Sequence, residues 1–173
     1  GAWADAKSEF NIGIGSAALG GALNGALSNI GIGYDALVAL TTGDNNVVIG
    51  SNAGDAMTDN AGNIVIGKDA MGAADAGESY NIAIGYFSMT NMNNAATDGN
   101  VAIGSSSFMG GTGTNIGNIA IGDNALDGTG NEDQTGTIAI GYQSLGALTT
   151  GAGNTAIGYQ SGTLLTTGAA NTI

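Results

Sequence analysis

The sequence predicts an all-β chain wound as a parallel β-solenoid of 17–19-residue coils. Three observations predict it: a five-residue unit recurs along the whole chain, a fixed glycine closes each unit, and the 173 residues include 33 glycines but no proline or cysteine. The unit is Asn-aliphatic-small-Ile-Gly. It starts at Asn11, Asn29, Asn46, Asn63, Asn81, Asn100, Asn118, Thr137 and Asn154, with a partial copy at Asn171. Repeats of this length are the signature of stacked supersecondary units.

Each element follows from its residues. Positions two to four alternate large, small, large, the period of a short strand, and the β-branched Ile and Val favour it. The fourth position is always isoleucine: Ile14, Ile32, Ile49, Ile66, Ile84, Ile103, Ile121, Ile140 and Ile157. Stacked in register, these side chains form one apolar ladder, expected to be the inner spine of the coil. The small third position is expected to let neighbouring chains approach. The glycines that follow (Gly15, Gly33, Gly50, Gly67, Gly85, Gly104, Gly122, Gly141 and Gly158) mark a corner needing positive φ or close backbone approach. Three residues on comes Ala or Ser, usually followed by Leu, Met or Phe, which reads as a second short strand. Turns such as Thr41-Thr42-Gly43, Thr149-Thr150-Gly151 and Thr166-Thr167-Gly168 end the coil. The leading Asn row can hydrogen-bond from rung to rung, as stacked amides do.

Residues 1–173 read as one array. At about 4.8 Å per rung, nine coils make a rod roughly 43 Å long. Gly1-Ala2-Trp3-Ala4 matches the part of the unit after the corner, and Asn171-Thr172-Ile173 opens another unit, so a segment of a longer fibre is expected. So narrow a coil buries few aliphatics by itself. Part of its apolar surface is therefore expected between chains, and a homotrimer about a long axis fits.

Charge narrows the function. Lys7 and Lys68 are the only basic side chains against 14 carboxylates, for a net charge of −12, and histidine is absent. Without His or Cys there is no imidazole base, thiol nucleophile, or thiolate or imidazole metal site. Without Arg, and with so negative a sum, nucleic acid and anionic membrane surfaces are poor partners. No apolar run has the length of a membrane span, so no direct membrane insertion is expected of this segment. The N-terminal residues lack the layout of a signal peptide. No cofactor is expected.

The units Asn118-Ile119-Ala120-Ile121-Gly122 and Asn154-Thr155-Ala156-Ile157-Gly158 resemble the YadA-like head repeat of trimeric autotransporter adhesins. The longer form, with Ile140-Gly141-Tyr142-Gln143-Ser144-Leu145 and a Thr-Thr-Gly turn, is similar to repeats in bacteriophage tail fibres. The resemblance runs from Asn11 onwards. It implies a left-handed β-roll, three identical chains and surface attachment on a cell or a virion. The period here is longer than that common in the adhesin heads.

Two sets of residues are candidates for receptor contact. The residue after the corner glycine is aromatic at Tyr34, Tyr86, Tyr142 and Tyr159. Tyr86, Tyr142 and Tyr159 are candidates for a carbohydrate or receptor platform, since amphipathic rings serve recognition well. The last two lie on consecutive rungs, so their rings can stack. Cross-rung packing is the competing explanation. The units at Asn81 and Asn118 carry longer turns, Thr90–Asn94 and Asp127–Gln134, and insertions in solenoids map to exposed loops where binding lives. Asn131, Glu132 and Asp133 are the candidates there, and changes across Asn131–Gln134 are expected to leave folding intact. Asp127, Glu132 and Asp133 match no calcium-loop spacing and read as a solvated acidic turn. The functional expectation is a non-enzymatic extracellular fibre that attaches by many weak contacts at once. A glycan-degrading solenoid using two carboxylates and an ice-binding solenoid are the alternatives, in that order.

Overall fold

The computed structural model describes residues 7–75 and 77–173; the match of Gly1-Ala2-Trp3-Ala4 to the repeat lies outside them. Eleven short strands carry the fold: β1 (Ile12–Ile14), β2 (Ile30–Ile32), β3 (Val47–Ile49), β4 (Ile64–Ile66), β5 (Ile82–Ile84), β6 (Val101–Ile103), β7 (Asn115–Ile116), β8 (Ile119–Ile121), β9 (Gln134–Thr135), β10 (Ile138–Ile140) and β11 (Thr155–Ile157). Nine of them stack in the order β1-β2-β3-β4-β5-β6-β8-β10-β11. Every pair is parallel and places the isoleucine of one unit beside the isoleucine of the next, from Ile14↔Ile32 to Ile140↔Ile157. This is a β-solenoid with a period of about 18 residues. Among the described residues no helix is long and apolar enough to cross a membrane.

The corner glycines are demanded by stacking. From Gly15 to Gly141 φ lies between 130° and 146°. A Cβ at any of these eight glycines would fall closer than 3.0 Å to the carbonyl oxygen of the corner glycine above. Both the backbone conformation and the contact exclude a side chain.

The leading asparagines form a buried amide column. Asn46 donates its backbone N–H (3.0 Å) and its Nδ2 (2.9 Å) to Oδ1 of Asn29, and its Nδ2 also reaches the Asn60 carbonyl at 2.7 Å. The pattern repeats at Asn100, whose backbone N–H and Nδ2 bond Asn81 Oδ1 at 3.0 Å while Nδ2 closes on the Asn115 carbonyl at 2.7 Å. Each amide thus ties its strand to the previous coil and pins the far end of its own coil. Buried amides must be bonded, and these are.

Which face of the strand turns inward corrects the sequence reading. The small third position is buried: Val48, Val65, Ala83, Ala102, Ala120, Ala139 and Ala156 are inaccessible. The flanking isoleucines point outward, and Ile14, Ile66 and Ile157 are 58%, 36% and 61% exposed. The ladder of Ile14, Ile32, Ile49, Ile66, Ile84, Ile103, Ile121, Ile140 and Ile157 therefore exists in register but is an outer ribbon, not an inner spine. The small residues make room for their own coil rather than for another chain. The reason is volume. A Cβ on Gly31 would lie 3.2 Å from Leu19 Cγ and 3.7 Å from Leu37 Cδ1, so the centre of the coil is already filled by the residue four past the corner. Leu19, Leu37, Met71, Met89, Phe108, Leu126 and Leu145 occupy that column, all buried, and Leu40, Met57, Met92 and Leu148 join them from further round the coil. Where the column carries Gly54, Met57 fills the space, its Sδ 2.5 Å from where a Cβ on Gly54 would lie. Volume is conserved across the core.

The second strand expected after the corner is not one. That stretch is a run of turns in which the second and fourth residues take positive φ, as at Asp35 (54°) and Leu37 (54°) or Gln143 (52°) and Leu145 (50°). Inter-coil bonds persist there, with Asp35 N–H to the Ser16 carbonyl at 3.0 Å and Leu37 N–H to the Ala53 carbonyl at 3.2 Å. Side-chain alternation alone cannot separate this backbone from a strand. The longer turns also differ from free loops. Met92 and Gln134 are inaccessible, and β7 pairs with β9 in parallel. Gln134 Nε2 donates to the Thr149 carbonyl at 3.1 Å, so the tolerance expected across Asn131–Gln134 does not extend to Gln134.

Candidate functional site

Counting from the corner glycine assigns each surface residue to a column. Tyr142 and Tyr159 stack in the first column after it, with ring centroids 5.3 Å apart and planes 14° from parallel. Tyr159 is largely exposed and Tyr142 less so. Tyr86 lies in the same column three rungs away, about 14 Å along the stack. It packs on Phe87 at 4.1 Å, with the Lys68 ammonium 5.5 Å from its ring. The three tyrosines share a column but not a cluster.

The acidic turn is partly tied down. Asn131, Glu132 and Asp133 are exposed. Asn131 Oδ1 accepts the Thr112 N–H at 3.2 Å and Asp133 Oδ1 accepts the Thr114 N–H at 2.7 Å, which fastens this turn to the one below. Asp127 does not join them. It opens a short 3-10 turn, Asp127–Thr129, and reaches a groove of its own. Among the described residues no three carboxylates converge as a metal site.

That groove was not foreseen from sequence. It encloses about 320 Å³ and is lined by Asn124, Asp127, Gln143, Gly146, Ala147 and Thr163. Its walls come from two columns over three coils: Asn124 and Gln143 are second after their corners, while Asp127, Gly146 and Thr163 are fifth after theirs. Gly146 opens the middle, because it has no side chain between Asp127 and Thr163. Burial pushes the Asp127 carboxyl above the ordinary carboxylate range, and the charge of Asp123 adds to the shift. Gln160 Nε2 donates to Gln143 Oε1 at 2.9 Å and fixes the amide of that wall. The sequence carries only a partial signal, Gly146 between an Asp and a Thr in one column, a pattern that Asp55, Gly72 and Thr90 share.

A second surface is the outer ribbon. Position two contributes Ile12, Ile30, Val47, Ile64, Ile82, Val101, Ile119, Ile138 and Thr155 beside the nine isoleucines of position four. Seventeen of these eighteen side chains are aliphatic, and the ribbon carries no charge along its length. The turn columns, by contrast, carry acids such as Asp35, Asp123 and Glu132. No protein-family model, curated protein or solved structure matches this chain.

Proposed function

We propose that this chain is a non-enzymatic, structural and adhesive fibre segment of an extracellular or virion surface. In this reading it assembles as a homotrimer through the Ile/Val ribbon and presents its turn columns for multivalent attachment. The observation that carries the reading is the ribbon itself. A chain of net charge −12 that keeps two columns on the outside, aliphatic at every rung but Thr155, has a face suited to burial against its own copies.

Nine rungs of two columns measure roughly 40 by 10 Å, or on the order of 400 Å² per chain. Each chain gives up the same area whether two or three copies meet, and a trimer closes the ribbon around one axis. The acidic turn columns then face solvent and keep the shaft soluble. The turn-face candidates Tyr86, Tyr142, Tyr159, Asn131, Glu132 and Asp133 all lie on columns outside the ribbon, where repetition along the rod and around the axis multiplies weak contacts.

Light scattering tests the assembly. The wild-type chain is expected at three times its 16.7 kDa mass, and the double variant Ile84→Asp, Ile103→Asp at the monomer mass with its β circular-dichroism spectrum retained. A wild-type monomer ends the trimer reading. Loss of the β spectrum in the variant returns these isoleucines to a folding role. Adsorption of labelled protein to intact bacterial cells tests attachment, and equal adsorption by the monomeric variant removes multivalency from the mechanism.

A further inference from the structure

We propose that the groove over Gly146, walled by Asn124, Asp127, Gln143 and Thr163, binds a neutral polyhydroxylated glycan. The chemistry of the walls selects that ligand class. They offer two primary amides, one carboxylate and one hydroxyl, over a floor of Gly146 and Ala147. No wall residue is basic, so an anionic group finds no counter-charge, and the −12 net charge repels acidic polymers. No wall residue is aromatic or a large aliphatic, so an apolar peptide finds nothing to bury against. A hard divalent cation needs several carboxylate or carbonyl oxygens, and a single carboxylate lines the groove. A ligand dense in hydroxyls fits all of these limits, because it can donate to the carboxylate and exchange bonds with amides.

The Asp127 carboxylate is half-buried, and no hydrogen-bond donor among the described residues reaches it. Half-desolvated acceptors gain most from a ligand that brings donors. Gln143 has its Oε1 occupied by Gln160 and holds its amide nitrogen for a ligand. The walls span three coils, about 10 Å along the stack, the reach of a short oligosaccharide.

The chain also contains its own control. Asn52, Asp55, Gly72 and Thr90 occupy the same two columns on three earlier coils. There the gap is filled: a Cβ on Gly72 would meet Asp55 Oδ1 and Thr90 Oγ1, each at 3.5 Å, whereas the nearest atoms to a Cβ on Gly146 belong to the backbone of Gln143 and Asn124. The wall that differs in type is Gln143, whose counterpart on the earlier coils is Asp69.

This inference deepens the adhesive reading and rests on it for its setting, but all four walls belong to one chain, so the site needs no assembly. The test is calorimetric titration of the full chain with dextran, mannan and cellohexaose, with polygalacturonate as the acidic counterpart and light-scattering mass recorded on the same samples. Binding to at least one neutral glycan is expected. Asp127→Asn, nearly isosteric, is expected to weaken it roughly tenfold without lowering the melting temperature, Thr163→Val to weaken it less, and Asp55→Asn to leave it unchanged. Absence of binding to every neutral glycan, preference for polygalacturonate, or equal effects of Asp127→Asn and Asp55→Asn overturns the proposal. A trimeric mass without glycan binding removes this site alone; glycan binding by a monomer removes the trimer alone.

Discussion

The amide column behaves differently in the two halves of the stack. From Asn81 to Asn118 it is unbroken: Asn118 bonds Asn100 Oδ1 with its backbone N–H at 2.9 Å and with Nδ2 at 3.0 Å, and closes its own coil on the Gln134 carbonyl at 2.9 Å. One unit later Thr137 stands in the row. Its N–H still reaches Asn118 Oδ1 at 2.9 Å, but its buried Oγ1 has no partner. Threonine cannot reach the Gly151 carbonyl that ends its coil. Asn154 of the next coil does so instead, donating Nδ2 to Gly151 at 3.0 Å as well as to Gly168 at 2.8 Å. The column tolerates a missing amide because the neighbour reaches back. The solenoid is thus held by bonds between adjacent rungs, and damage at one rung is shared with the next.

The largest effect should come from removing an amide where both neighbours rely on it. Asn100→Ala strips the acceptor from Asn118, the donor from Asn81 and the closure at Asn115. Leaving several buried groups unbonded should cost about 4 kcal/mol in denaturant titration. A cost near that of a surface substitution would mean that the column is decoration.

Next come the corners. Gly104→Ala combines a φ of 140° with a Cβ driven into the Gly122 carbonyl. Gly158→Ala meets the same φ strain, at 138°, but its Cβ has only Ser161 nearby, at 3.9 Å. The difference between the two losses isolates the collision, expected at about 2 kcal/mol. Equal losses would assign the glycine to backbone conformation alone.

Repairing the interrupted rung is the gain-of-stability counterpart. Thr137→Asn should continue the column, release Asn154 from its double duty and remove the orphaned hydroxyl. A gain of about 1–2 kcal/mol is expected, smaller than the Asn100→Ala loss because Asn154 already compensates in part. A loss of stability would show that the wider coil before Thr137 cannot seat an amide.

A repeat makes some features of this fold legible in the sequence and hides others. Period, register, corner glycines and the asparagine row each depend on one residue meeting its own copy a coil away, so a repeat in sequence fixes them. The strand's inner face depends instead on what fills the centre. Alternation says that Ile84 and Ala83 face opposite ways; only the seating of Met89, inaccessible at the core, decides that Ala83 turns in. Positive φ at Asp35 and Leu37 leaves no trace in the alternation of side chains, which is why a run of turns passes for a strand. The Tyr142–Tyr159 stack was legible because it joins equivalent positions on consecutive rungs. The groove was not, because it arises from an absence at Gly146 whose walls come from two columns and three coils.

The smallest effect, and the one that sets the two halves side by side again, is electrostatic. Glu78 sits inaccessible on the coil just before Asn81, where its backbone carbonyl receives Asn63 Nδ2 at 2.9 Å and its Oε2 accepts Asn60 Nδ2 at 2.7 Å. Burial raises its carboxyl above the ordinary value, against the bond from Asn60. Asp127, in the half that contains Thr137, is raised by burial too. A carboxyl raised in the folded state binds more protons there than in the unfolded chain, so stability falls as pH climbs through the folded value. The melting temperature should therefore rise as pH is lowered towards the ordinary carboxylate range. Asp69 acts in the opposite sense, because the Lys68 ammonium lowers its carboxyl, and its contribution is lost only below the ordinary aspartate range. Glu78→Gln, which keeps an acceptor for Asn60 and removes the charge, should flatten the slope of melting temperature against pH, and Asp127→Asn should flatten it less because its carboxyl is closer to solvent. An unchanged slope in both variants would place the pH response in the summed surface charge rather than in either buried group.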